Sequence, residues 1–292
     1  MREPPSAIKP LARAHGMIAA RTRTGRFIET TLVLLLMMVV ALSAAEENRP
    51  AAFQPPDDTL YAQGRYVYQR NCLTCHGTRG DGKGDMAEGM FPKPRPFASG
   101  IFKYRSTPIG FLPTDADLAR TVRNGISGTS MPAFANLSDR EIRVVTEYIK
   151  FFSPKWRRPE NYATPVRIPP LPGWFADTKA RGKRSTQGRA LYTTSCAPCH
   201  GERGDGNGPS SATLLDEWEQ PAPPADLRQP AVRSGPAFED LYRALATGIA
   251  GTPMPSFADG FTDEQRWEII AYIATLRDGK QAEDNRAGNS AP

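Results

Sequence analysis

The chain has 292 residues, enough for about two domains, and its 28 prolines and 39% hydrophobic content favour small, loop-rich domains over one large core. Its formal net charge of +6 comes mainly from the first 45 residues, which hold six basic and two acidic side chains. The rest is nearly balanced in charge, so the basic total gives no support for nucleic-acid binding, and we expect no nucleic-acid partner.

Residues 1–45 have the pattern of a targeting segment, and we leave them out of the fold prediction. A basic leader precedes an uncharged apolar run of eleven residues, Leu32 to Leu42, and Ser43-Ala44-Ala45 supplies small residues for cleavage. The run is short for a bilayer span, which needs about twenty residues. It therefore predicts a signal peptide, or alternatively an N-terminal membrane anchor over residues 27–45. Both alternatives place everything after residue 45 outside the cytoplasm, on the periplasmic side of the membrane.

The first predicted domain covers residues 57–152 and contains three helices. A helix over 58–71 ends at a cysteine pair, and a middle helix starts near Thr114 and stops at Gly125. Ser138-Asp-Arg-Glu141 then opens the last helix with a capping box, in which the hydroxyl and the carboxylate satisfy two free amides. No segment alternates with a period of two, so the predicted fold class is all-α.

Residues 153–184 are predicted to be a Pro-rich, extended and fairly stiff linker. They carry eight basic and two acidic residues, whereas residues 185–278 carry seven basic and thirteen acidic ones. This asymmetry gives the two segments different electrostatic surfaces for docking. Residues 279–292 are predicted to be a disordered polar tail.

Residues 185–278 form a second predicted domain that repeats the first, with a first helix over 185–195 and a last helix that opens with a capping box at Thr262-Asp-Glu-Gln265. The pattern Gly-x3-Tyr-x3-Cys at Gly64 recurs at Gly188, an offset of 124 residues. The segment from Leu118 to Phe134 recurs from Leu241 at an offset of 123, and a Tyr-Ile pair near the end of each unit recurs at 124. Register kept over three separate segments predicts a tandem duplication.

All four cysteines lie in two copies of Cys-x-x-Cys-His, at Cys72, Cys75 and His76 and at Cys196, Cys199 and His200. Two cysteines three residues apart on a helical turn reach the two vinyl groups of one porphyrin, and the next His is placed to bind the iron. The pattern therefore predicts two covalently attached haem c groups. A zinc site would need the two pairs much closer in sequence, and a disulfide leaves the following histidines unexplained.

Each repeat also contains one methionine in a loop rich in glycine and proline, Met131 and Met254, which lie 55 and 54 residues after the histidines. Methionine is commonly a core residue, but these two do not lie on the apolar stripe of a helix. We therefore predict that they are the second axial ligands, giving iron sites at His76 with Met131 and at His200 with Met254.

Other residues near the predicted haems have weaker signals. The prolines at 92, 94 and 96 and at 221, 223 and 224 are expected to wall the haem pockets, with a carbonyl there orienting each histidine. Arg105 and Arg233 are candidates to pair with haem propionates, and a solvated surface position is the simpler interpretation of both. Tyr68 and Tyr192 are expected to be core aromatics.

These residues resemble the dihaem class I c-type cytochromes, built from two mitochondrial-type haem domains in tandem. The resemblance covers about 57–152 and 185–277 and rests on Gly-x3-Tyr-x3-Cys-x-x-Cys-His, the Met-Pro loop and the final helix. It implies thioether links at the four cysteines, and close helix crossings at Gly64 and Gly188. The middle of the second copy departs, since Phe102-Lys-Tyr-Arg-Ser has no clear counterpart there.

The resemblance further implies electron transfer between redox protein partners, such as a respiratory complex, an oxidase or a dehydrogenase. An iron with both axial positions filled offers no open site to a substrate, so catalytic residues are not expected. The alternative is a dihaem enzyme, a peroxidase or a thiosulfate-oxidising cytochrome, which would need one vacant or unusual iron position.

Overall fold

The computed structural model describes residues 58–289, with side chains described up to residue 281. The targeting segment predicted for residues 1–45 lies outside the described residues. Eight α-helices occur in this range: α1 Asp58–Asn71, α2 Leu73–His76, α3 Asp115–Asn124, α4 Asp139–Lys150, α5 Thr178–Ser195, α6 Ala197–His200, α7 Phe238–Thr247 and α8 Asp263–Asn289.

The described chain is helical and contains no β-strand, only two isolated bridges, Leu215 with Pro221 and Val232 with Gly235. The predicted all-α class is therefore confirmed. Each repeat contributes four helices in the same order, a long first helix, the one-turn Cys-x-x-Cys-His helix, a middle helix and a long last helix. None of the helices within 58–289 is both long and apolar enough to cross a bilayer.

In each repeat the first helix crosses the last one at a glycine. A Cβ built on Gly64 of α1 would lie 2.3 Å from the Val144 carbonyl oxygen of α4, and one on Gly188 of α5 would lie 1.9 Å from the Glu268 oxygen of α8. The two backbones therefore touch, and only glycine leaves room for the contact. This confirms the crossings that the resemblance implied.

The capping signals correctly predicted where the last helices begin. Ser138 and Glu141 exchange hydrogen bonds at the start of α4, with Glu141 Oε2 accepting from the Ser138 amide at 2.8 Å. In the second repeat, Gln265 Oε1 accepts from the Thr262 amide at 2.8 Å, and the Thr262 hydroxyl accepts from the Gln265 amide at 3.2 Å. Both signals are local in sequence, which explains why they could be identified without the fold.

The segment predicted as an extended linker is instead folded onto the two repeats. It forms three short 3-10 turns, and Trp156 is 1% exposed against Leu112 and Leu118. Phe175 is 2% exposed and packs in the second core with Trp267, their ring centroids 6.1 Å apart. Two buried aromatic side chains thus make the connector part of both cores.

Two further expectations about the connector and the tail differ from the structure. Helix α5 begins at Thr178 rather than at 185, because Asp177 caps it by accepting a hydrogen bond from the Ala180 amide at 2.8 Å. Helix α8 continues to Asn289, so residues 279–289 are helical rather than a disordered tail.

Arg105 joins the two repeats, which corrects its interpretation as a solvated surface charge. The side chain is 1% exposed, Nη2 donates to the Thr247 carbonyl of α7 at 2.8 Å, and Nε donates to the Pro108 carbonyl at 3.2 Å. Burial lowers the pKa of the guanidinium to about 10, so it remains a cation at neutral pH. A buried charged donor on the α7 carbonyl end fixes the first repeat against the second.

Asp117 organises the loop before α3. Its carboxylate accepts hydrogen bonds from the Ser106 amide and hydroxyl, both at 2.8 Å, from the Thr114 amide at 3.0 Å and from Arg120 Nη2 at 2.8 Å. Burial alone would raise the pKa of this carboxyl, but the hydrogen bonds outweigh it and the pKa is lowered. The ionised form is therefore the one that the fold stabilises.

We expect D117N to lower the free energy of unfolding at pH 7 by about 1–3 kcal/mol, because an amide cannot replace all four hydrogen bonds to the carboxylate. Since the folded pKa is depressed, this stabilisation is complete above the unfolded pKa, about 3.9, and is lost as pH falls through the folded value. Denaturant unfolding should therefore show the difference between wild type and D117N shrinking below about pH 4.

The control for this experiment is D85N, which changes an exposed aspartate that makes no hydrogen bond within the described residues. Its effect should stay within about 0.5 kcal/mol at every pH. A gap between wild type and D117N that stays constant down to pH 2 would contradict this account of the Asp117 carboxylate.

Candidate haem sites

Both Cys-x-x-Cys-His segments fold as a single helical turn held to the end of the preceding helix. The His76 amide donates to the Cys72 carbonyl at 2.9 Å, and the His200 amide donates to the Cys196 carbonyl at 2.8 Å. This turn brings the two cysteines and the histidine of each copy into one small region of the fold.

The tyrosine before each cysteine pair has a role that the sequence did not reveal. The Tyr68 hydroxyl donates to the Gly77 carbonyl at 2.7 Å, and the Tyr192 hydroxyl donates to the Gly201 carbonyl at 2.8 Å. These carbonyls directly follow the histidines. The two tyrosines are buried, as expected, but each also fixes the end of the one-turn helix that carries the histidine. The matched spacing of both tyrosines in the repeat was the available signal.

Each histidine is oriented by one backbone carbonyl in the proline-rich segment. His76 Nδ1 lies 3.2 Å from the Arg95 oxygen, and His200 Nδ1 lies 3.2 Å from the Ala225 oxygen. Burial lowers the pKa of both imidazoles more than these carbonyls raise it, so both rings are neutral at pH 7. A carbonyl only accepts, so Nδ1 carries the proton and Nε2 keeps a lone pair for a metal.

The environments of the two histidines differ at one equivalent position. The Phe97 amide donates to the Gly80 carbonyl and the Leu227 amide to the Gly204 carbonyl, so these residues correspond. The Phe97 ring stacks on His76, with centroids 4.4 Å apart and planes 17° from parallel, whereas Leu227 offers no ring. The first imidazole is therefore packed by an aromatic face that the second lacks.

The methionine loops have the same backbone construction in both repeats. The Met131 amide donates to Thr129 Oγ1 at 3.2 Å, and the Met254 amide donates to Thr252 Oγ1 at 3.3 Å. The methionine carbonyls also correspond, since each accepts from an isoleucine amide at 3.1 Å. Both side chains are half-buried, and neither lies within a helix.

A cavity of about 490 Å³ in the second repeat brings the predicted residues of that repeat together. Its walls include Cys196, Cys199, His200 and Met254, and the remaining lining is mainly proline and aliphatic side chains, including Pro221, Pro223 and Pro224. A large apolar cavity with two thiols, one neutral imidazole and one thioether fits the size and chemistry of a haem.

The chemistry of the thiols does not favour a redox disulfide or a zinc site. Burial raises the pKa of Cys72 and Cys196 to about 12, whereas reactive cysteines have lowered values. In the part of the chain that the structure describes, no cluster of three or more His, Cys, Asp or Glu side chains is arranged to hold a metal ion by itself. Such a cluster is what a structural zinc site consists of.

Comparison with protein families matches the two repeats separately. Residues 59–149 match the family described as cytochrome c oxidase, cbb3-type, subunit III, and residues 185–277 match the cytochrome c family. Both family descriptions are of c-type cytochrome domains, one in each repeat.

Two curated relatives and one solved structure extend over both repeats. The cbb3-type oxidase subunits CcoP of Azospirillum sp. (strain B510) and of Azospirillum brasilense are each 26% identical over 232 residues, covering 75% of this chain and 63% of theirs. The chain thus spans less than two thirds of these relatives. A chain of the Kuenenia stuttgartiensis reducing HAO-like protein complex Kustc0457/Kustc0458 is 33% identical, with a TM-score of 0.68 over 73% of this chain and 95% of that one.

Proposed function

The chain belongs to the class I c-type cytochromes, as a dihaem member with two haem domains in tandem and two haem c groups, and we propose that it relays electrons between redox proteins outside the cytoplasm. The observation that carries this proposal is the cavity lined by Cys196, Cys199, His200 and Met254. Haem c supplies an iron that changes reversibly between the ferrous and ferric states. We place the two domains at 57–152 and 185–278, close to the family matches.

The residues that hold the cofactors are proposed to be the same in both domains. Cys72 and Cys75 would each form a thioether with one vinyl group of the first haem. Cys196 and Cys199 would do the same with the second haem. His76 and His200 would bind iron through Nε2, while the carbonyls of Arg95 and Ala225 hold the protonated nitrogen and fix the ring.

Met131 and Met254 are proposed to fill the opposite axial positions. A methionine sulfur favours ferrous iron and raises the potential relative to a second histidine. The matched hydrogen bonds of the two loops hold both methionines in the same backbone arrangement. With a histidine and a methionine both bound, the iron would offer no open position to a substrate, which favours electron transfer over the enzyme alternative.

We propose that the partners are subunits of a membrane-associated respiratory complex on the periplasmic side. The names of the relatives support this proposal, since two are oxidase subunits and one is a member of a redox complex. Residues 27–45 would attach the chain to the membrane if they are retained, and they would be removed if they form a signal peptide.

The test replaces Met131 and Met254 singly by leucine in the full chain, produced with a cytochrome c maturation system. We expect M131L and M254L each to turn one of two low-spin haems high-spin and to lower its potential, because leucine offers no ligand. M86L, at an exposed methionine, is the matched control and should leave both haems unchanged. Unaltered spin state and potential in both M131L and M254L would refute the axial assignment.

A further inference from the structure

The haem cavity of the second domain is not closed by that domain alone. Three residues from the first repeat, Pro92, Lys103 and Tyr104, lie on its wall beside Arg233 and Ser234 of the second repeat. Lys103 and Tyr104 belong to the segment that has no counterpart in the second repeat. Pro92, expected to wall the pocket of its own domain, lines the cavity of the other.

Three cations meet at this boundary, Arg95, Lys103 and Arg233, and none forms an ion pair with a described residue. The Arg95 guanidinium lies over the Trp218 ring of the second repeat, 4.1 Å from its centroid, and its Nη1 is buried with no hydrogen-bond partner. Arg233 makes one long contact, 3.5 Å from Nη1 to the Pro223 carbonyl. We call Arg95, Lys103, Tyr104 and Arg233 the boundary cluster.

The carboxylates nearest the boundary cluster form no ion pair with it. Asp216 and Glu217 are acidic neighbours of Arg95, and Asp216 is also a neighbour of Lys103, but neither carboxylate forms a salt bridge with these cations. Asp216 Oδ1 instead accepts from the amides of Trp218 and Gln220, each at 3.0 Å. A third carboxylate, Asp240, lines a small pocket with Lys103 and Tyr104 but is paired with Arg243. The three cations of the boundary cluster therefore outnumber the unpaired carboxylates beside the apolar cavity.

The pKa shifts in the boundary cluster are those expected of a partly buried, positively charged site. Burial and then repulsion from Arg95 lower the pKa of Lys103 to about 8, and burial raises the pKa of Tyr104 to about 12 although two arginines oppose this. The ammonium of Lys103 and the hydroxyl of Tyr104 make no hydrogen bond to any residue between 58 and 281. Both residues are half-buried on the cavity wall, where a ligand that fills the cavity would exclude water and would have to supply the hydrogen bonds itself.

We propose that the boundary cluster receives the propionate carboxylates of the haem in the second domain. This rests on haem attachment at Cys196 and Cys199. A haem that fills the cavity brings two carboxylates, the only charged groups on its ring edge. Charge-assisted hydrogen bonds from Lys103, Arg233 and the Tyr104 hydroxyl would satisfy them. The first domain therefore helps to set the potential of the second haem.

The direction of that effect follows from charge. The oxidised haem carries one positive charge more than the reduced haem, so a nearby cation disfavours oxidation and raises the potential. Removing the Lys103 charge should lower the potential of the second haem and leave that of the first at its wild-type value.

The experiment measures both midpoint potentials in the full haem-loaded chain for K103Q, K103R, Y104F and the control K183Q. Lys183 is an exposed residue of α5 away from the boundary cluster. The M131H and M254H variants assign the two waves, because a histidine ligand lowers the potential of one haem in each. We expect a fall for K103Q, wild-type behaviour for K103R and K183Q, and a smaller fall in the same wave for Y104F.

Two results would overturn the proposal. One is a full complement of covalent haem in K103Q and Y104F with the second potential unchanged. The other is a second potential that depends on added inorganic phosphate in wild type and not in K103Q, which would show a site for a free anion. If K103Q does not accumulate, the second potential of Y104F alone decides the test, because this substitution removes only a hydroxyl and should leave the fold intact. If the axial assignment is wrong, M254L will show it, because that variant leaves Lys103 unchanged. The two proposals are therefore tested independently.

Discussion

Replacing Gly188 with alanine is expected to lower the free energy of unfolding by about 3 kcal/mol, near the upper end for overpacking. The added Cβ would lie 1.9 Å from the Glu268 oxygen and 2.3 Å from the Glu268 carbonyl carbon. Both atoms belong to the backbone of α8, so no side chain can rotate away. The helices α5 and α8 must separate, which loosens the core on both sides of the crossing. Denaturant unfolding of the haem-loaded chain measures the loss.

Gly182 on the same helix provides the matched control. A Cβ there meets no atom within 4 Å, so G182A should raise stability by about 0.5–1 kcal/mol through helix propensity alone. The same substitution on α5 is thus expected to lower the free energy of unfolding at Gly188 and to raise it at Gly182. If G188A unfolds at the same denaturant concentration as G182A, the close crossing of α5 and α8 is not a feature of the protein.

Gly188 also shows what kind of information the sequence carried. Its offset from Gly64 identified the repeat, and the resemblance implied a close crossing, but the contact with Glu268 depends on residues 80 positions apart. The capping boxes at Ser138 and Thr262 could be predicted directly, because both partners lie within one helical turn. Interactions between residues that are close in sequence can be predicted from the sequence, whereas contacts between distant segments are known only once the structure is known.

The connector shows the opposite case, in which a local pattern was misleading. Its prolines and basic residues predicted an extended linker, yet Trp156 and Phe175 are each buried in a core. Composition describes the average of a segment, and two large aromatic side chains outweigh it because each buries a large apolar surface. The prediction that Arg105 is a solvated surface charge was wrong for a related reason. Its hydrogen-bond partner Thr247 is 142 residues away in sequence.

In the candidate sites, the sequence spacing identified the predicted haem-binding residues, and the structure shows how their side chains are oriented. The cysteines, histidines and methionines could be identified as a set in each repeat, and the cavity brings the second set together. The Arg95 and Ala225 carbonyls could not be chosen among the neighbouring backbone groups, because the choice depends on how the proline-rich segment returns to the histidine. The lining of the second cavity by Lys103 and Tyr104 had no signal in sequence, since the two belong to the other repeat.

The double variant C196S/C199S is expected to halve the covalently bound haem per chain, because serine oxygens form no thioether with the vinyl groups. C72S/C75S, the matched variant in the first domain, should do the same at the other site, and the two together should abolish covalent haem. Intact mass and haem staining on a denaturing gel measure each count.

The two double variants should nevertheless differ in the potential of the haem that remains. In C72S/C75S the remaining haem would lie in the second domain beside the boundary cluster and should keep the potential that the second haem has in the wild type. In C196S/C199S the remaining haem has His76 stacked on Phe97 and should keep the potential of the first domain. A chain that still carries two covalent haems after C196S/C199S would contradict the site in the second domain, because no other cysteine in the sequence remains free to take a vinyl group.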